Sequence, residues 1–132
     1  MAKGFLLYSI DDGHVPPFEY LPCGAIQPKI GLALNESSGN LAVASGTTKP
    51  SYICMTERSA AVAAGTLIPV IRVTGDIIFD VPSSESMSAR KIGDKVTIYS
   101  DGMKVTATTT SGVAEIVGIE DTASGGHIQV RF

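Results

Sequence analysis

Two histidines, His14 and His127, are the only imidazoles in the chain, so a serine, threonine or cysteine nucleophile that needs such a base must find one of them. His14 sits in a turn ahead of Val15-Pro16-Pro17 and reads as a solvent-facing side chain, while His127 opens a short terminal run. No G-x-S-x-G elbow presents a serine, and no lysine-bearing glycine loop is built to cradle phosphate. Paired carboxylates could do acid–base work if they converged from apolar strands. Most acids here, Asp11, Asp12, Asp94, Asp101, Glu120 and Asp121, fall instead in turns, where solvated carboxylates are expected. Asp76 and Asp80 flank one strand at i and i+4 on a shared face; a solvated pair is favoured over a metal site. Glu115, inside an apolar run, either pairs with Arg72 or Arg131 across a sheet or points outward, and outward is favoured. Lys49-Pro50-Ser51-Tyr52 is explained by a proline opening a strand. Cys23 and Cys54 have no metal spacing, and free buried thiols are favoured over a disulfide. The chain therefore reads as no enzyme, with no catalytic residue, no metal and no cofactor.

The elements that would carry these residues are strands. The stretch Thr48–Pro82 holds three runs rich in Ile, Val, Tyr and Phe: Ser51–Met55, Leu67–Val73 and Asp76–Val81. Pro50, Gly65, Gly75 and Pro82 bracket them, and Pro69 withdraws one backbone donor, which predicts an edge or a bulge. Between the first two runs, Glu57–Gly65 is expected to be a loop with one helical turn. Upstream, Pro28–Ser45 predicts a hairpin around a polar loop, Asn35–Asn40. Downstream, Lys95–Ser100 and Met103–Thr108 form a second hairpin across Asp101-Gly102, followed by strands at Gly112–Ile119 and His127–Phe132.

The fold class that follows is all-β: a compact barrel or sandwich of about ten short strands with little helix. Residues 1–22 read as an extended arm that packs on its own domain or docks on a neighbour. Residues 23–82 form a first β-lobe, 83–90 a Ser-rich linker and 91–132 a second lobe, unless 23–132 is one domain. The two lobes echo each other in order, and LIPVIRV and HIQVRF share an Ile-x-Val core; duplication and chance likeness between short strands both account for this.

Composition bounds the partners. Of 132 residues, 44% are hydrophobic and only 17% charged, and Trp is absent. Such a chain has apolar surface to spare, which is often covered by a partner. The net charge of −3 and the lack of a basic cluster argue against nucleic acid. Phe5–Ile10 is too short and polar for the core of a secretory signal, and no run approaches the ~18 apolar residues of a membrane span.

The run Lys49–Pro82, the preceding hairpin IGLALNESSGNLAVASGTT and the tail from Gly93 to Phe132 together resemble small phage and prophage capsid decoration (head-stabilising) proteins. The resemblance covers about Gly24 to Phe132 and rests on strand patterns and turns, not on a reactive motif. This sequence departs from the smallest members by its longer, two-lobed pattern. The resemblance implies a compact β-rich body, often a homotrimer or other homo-oligomer, seated on the major capsid protein at the capsid surface after assembly in the host cytoplasm. It implies that the N-terminal arm adds a strand to that partner. On the arm of this chain Phe5, Leu6, Leu7, Tyr8, Ile10, Phe18 and Tyr20 would fill the partner's pockets, so that removing Ala2–Leu21 would abolish binding and spare the body. The alternatives are a head–tail joining or tail structural protein and a ligand- or glycan-binding β-module, the latter poorly served by a chain without Trp.

Overall fold

The computed structural model describes residues 3–10 and 15–132. The apolar runs become ten strands: β1 (Leu6–Ile10), β2 (Glu19–Cys23), β3 (Ala33–Ser37), β4 (Asn40–Val43), β5 (Tyr52–Cys54), β6 (Thr66–Arg72), β7 (Ile77–Pro82), β8 (Lys95–Val96), β9 (Ala114–Ile119) and β10 (His127–Arg131). No helix forms among the described residues, so the protein is all-β, and Glu57–Gly65 lacks the expected helical turn. Nine residues ending in glycine gain too few internal hydrogen bonds to offset helix nucleation. Strands β1, β7, β10, β9 and β8 form an open sheet in that order, and β2, β4, β3, β5 and β6 close into a barrel.

Alternating side chains give the molecule two cores. Leu34, Tyr52, Cys54, Ile68 and Val70 fill the barrel with Cys23, Leu32, Leu41 and Met103. Their strand neighbours Ala33, Ile53 and Ile71 point the other way and pack on the sheet's Ile77, Phe79, Val81, Ile116, Ile128 and Val130. Strand β6 is apolar nearly throughout because its inner face fills the barrel and Ile71 on its outer face packs on the sheet, while Leu67 near its start stays exposed. Pro69 sits inside the barrel wall and not at an edge. Its carbonyl accepts the Met55 N–H at 2.9 Å, one residue beyond the end of β5, so its missing donor falls where the neighbouring strand stops. The first hairpin is tighter than expected: β3 and β4 meet at Ser38-Gly39, both at positive φ, as a two-residue turn requires. The Asp101-Gly102 turn forms, with the Tyr99 N–H on the Lys104 carbonyl and the Gly102 N–H on the Tyr99 carbonyl. Of its expected strands, however, only Lys95–Val96 is regular, and Met103–Thr108 makes only isolated bridges at Val105.

Where they are described, residues 1–22 are not a free arm. Strand β1 pairs antiparallel with β7, and β2 with β6 along its whole length. Phe5 is buried, its ring 6.4 Å from Phe79 and 5.3 Å from Phe132. The chain enters this corner through a glycine pair: a Cβ on Gly31, at φ +86°, would lie 2.6 Å from the Phe5 nitrogen, and one on Gly4 2.3 Å from the Gly31 oxygen. Apolar residues so close to a core that lacks them gain more by packing there than by waiting for a neighbour.

Residues 83–90 are not a linker. Ser83 N–H donates to the Gly126 carbonyl, Ser84 N–H to Val105, and Met87 is fully buried against the sheet core. Ser83 and Ser84 thus tie their backbone to distant segments while Met87 supplies the apolar anchor. Nor do the lobes follow the expected boundary, because β7 lies between β1 and β10 in the open sheet.

Candidate functional site

On β2 the period of two sends Glu19, Leu21 and Cys23 toward the barrel interior and Tyr20 and Pro22 outward, with Phe18 just ahead on the outer side. Antiparallel register sets Tyr20 opposite Pro69 and Pro22 opposite Leu67 on β6. These residues make one apolar face on the outer barrel wall. Phe18 is 49% exposed, Tyr20 63% and Leu67 57%, and Val15 lies exposed just upstream. The side chains projecting from this face offer hydrocarbon and one phenol to water.

The wall beneath it is braced. The Arg72 guanidinium donates two hydrogen bonds to the Glu19 carboxylate, at 3.1 and 2.9 Å, and lies 5.1 Å over the Tyr52 ring. The Glu19 bond, with Tyr52 beside it, holds the Arg72 guanidinium's pKa above its ordinary value. By contrast β2 meets β4 only at Cys23 and Leu41, where the Gly24 N–H reaches the Leu41 carbonyl at 2.9 Å. The barrel is therefore sealed by a single short contact.

The expected docking residues separate in the structure. Phe5 belongs to the core and Leu7 and Ile10 pack against it; their pockets lie within this chain, which corrects the expectation for these three, while Leu6 is half-buried opposite Asp80. Tyr8, 58% exposed, sits where the β1–β7 register shifts. Phe18 and Tyr20 join the barrel face. Leu67 was missed because LIPVIRV reads as uniform core; its phase opposite to Ile68 and Val70 is the available signal.

The reactive residue types serve other ends. Asp101 Oδ1 accepts the Met103 N–H and Asp121 Oδ1 the Ala123 N–H, each at 2.9 Å, and Asp94 accepts from Lys91. These carboxylates build turns. Asp76 accepts from the Thr74 hydroxyl. Asp80 is bonded to His127 and Gln129 across the sheet. Glu115 lies in register between Arg131 and Lys95, with no ion pair to either. Ser88-Ala89-Arg90-Lys91 carries an S-x-x-K spacing, but it forms a turn in which the Ser88 hydroxyl accompanies Ser86, so no helix brings lysine back to serine. Cys23 and Cys54 are buried free thiols. His14, Asp11 and Asp12 lie outside the described residues. Among the described residues no three or more His, Cys, Asp or Glu gather to hold a metal, and no helix is long and apolar enough to cross a membrane.

No protein-family model matches this chain, and a search of curated proteins finds no match either.

Proposed function

We propose that this protein is a non-enzymatic structural component of a phage head that binds the outside of the capsid and stabilises it. The observation that carries this reading is the apolar face of Phe18, Tyr20 and Leu67 on the outer barrel wall. Large exposed apolar side chains gathered on one face mark a surface meant to be covered. Tyrosine at such a face contributes contact area at low entropic cost, with a hydroxyl for the wet rim. The low charge content and the resemblance of the strand pattern to decoration proteins support the same reading. The partner is the major capsid protein, and homotrimers or other homo-oligomers would multiply weak contacts over a repeating lattice. Binding uses neither nucleic acid nor membrane, and the protein resides on the virion after assembly in the host cytoplasm.

Mixing the purified chain with empty capsids of the same genome, followed by sedimentation and electron cryo-microscopy, tests this. Repeating density over the outer shell is expected. Density confined to one vertex or along a tail would favour the joining or tail reading. Absence from every particle would refute the proposal.

A further inference from the structure

The sheet face turned away from the barrel carries a polar cluster that no part of the docking face uses. Asp80 on β7 stands opposite Gln129 on β10, and His127 stands opposite Pro82. Gln129 Nε2 donates to Asp80 Oδ1 at 2.6 Å, and His127 Nδ1 pairs with Asp80 Oδ2 at 2.6 Å. A carboxylate only accepts when ionised, so Nδ1 is the donor. Both Asp80 oxygens are thereby engaged. Gln129 is itself 5% exposed and is pressed over Gly118, where an added Cβ would stand 2.6 Å from its Oε1. The ring is held from behind while its Nε2 has no hydrogen-bond partner among the described residues.

That ring borders a groove of about 420 Å³ lined also by Lys3, Gly4, Leu6, Asp80, Pro82 and Lys104. Two lysines and an imidazole thus face one carboxylate that is already engaged, on a chain whose net charge is −3. Lys104 reaches Asp101 at 3.3 Å, but both side chains are more than a third exposed, and such a pair exchanges readily for another anion. Leu6 and Pro82 offer hydrocarbon beside these donors. We propose that this groove binds a small apolar carboxylic acid, whose acid proton passes to His127 Nε2 so that its carboxylate accepts from that N–H and from Lys104, with its hydrocarbon part on Leu6 and Pro82. Asp80 and Gln129 are positioning residues: they orient the ring and touch no ligand.

Nuclear magnetic resonance titration of the full isotope-labelled chain with benzoate, and separately with inorganic phosphate, tests the site. Saturable benzoate shifts are expected at His127 Nε2 and at the amides of Leu6 and Lys104, with binding weakened at least tenfold in His127→Phe and severalfold in Lys104→Ala. Both side chains are substantially exposed, so these variants keep the fold. Asp80→Asn is expected to weaken binding and, without ligand, to shift the ring nitrogen signals as the tautomer is freed. Linear, unsaturated shifts, or benzoate binding unchanged in His127→Phe, would overturn the proposal. So would phosphate binding as tightly as benzoate, because Leu6 and Pro82 would then contribute nothing.

Discussion

Cys54 points into the barrel with its thiol donating to the Thr56 carbonyl at 3.4 Å, and Cys23 lies buried in the same core. Burial raises both thiol pKa values above their ordinary 9.0, since a thiolate would lose its water there. In the unfolded chain the thiols ionise at the ordinary value, whereas in the folded chain they hold their protons. Unfolding therefore releases protons above pH ~9, and the stability the thiols contribute at neutral pH declines as pH rises past that value. Two checks follow. Native protein should resist a thiol reagent at pH 8 and react at both cysteines in denaturant, and urea midpoints should fall between pH 8 and 10 more than in the Cys23→Ala, Cys54→Ala protein. At Gly31 the backbone sets the rule: positive φ and a nitrogen 2.6 Å from any Cβ leave no room for a side chain. Gly31→Ala should cost at least ~1–3 kcal/mol in chemical denaturation, the strain of the backbone alone, with the clash adding to it. Residue types announced the buried thiols, because a cysteine without metal spacing behaves as a small hydrophobe. They did not announce Gly31, whose need arises from a chain segment far away in sequence.

At the scale of elements, strands were legible wherever one face alone is buried, as in β7, whose burial alternates along its length. They were legible too in β6, apolar nearly throughout, though only its Val70–Ile71 end is buried on both faces. What sequence could not convey is the partner of each strand. Nothing local in Leu6–Ile10 names β7, and nothing in Glu19–Cys23 names β6; proline and turn residues around them suggested an arm for want of a visible neighbour. Met87 was overlooked amid serines, and with it the packing of residues 83–90. The corrected account makes a sharp prediction about the arm. Deleting residues 2–21 removes β1 and most of β2, so cooperative thermal unfolding should disappear, where a detachable arm would leave the transition in place. Ile71 joins barrel to sheet from the outer side of β6. Ile71→Ala should destabilise by about 2–5 kcal/mol, and a single transition should persist if the two cores unfold together.

The whole molecule is an all-β body whose barrel and sheet share one packed interface and leave two outer faces free for other uses. One, on the sheet, is polar and organised around His127. The other, on the barrel, is apolar and organised around Tyr20. Its composition was foreseen in Phe18 and Tyr20 but not its setting, because that face exists only once β2 and β6 lie side by side. The central claim is that the barrel face grips a capsid. Its most direct measurement is the co-sedimentation of Tyr20→Glu, Leu67→Glu protein with empty capsids beside the wild-type chain. Both substitutions lie at the surface, so melting should change by no more than ~0.5 kcal/mol each. The account predicts saturable binding by the wild-type chain and its loss in the variant; wild-type occupancy by the folded variant would contradict it.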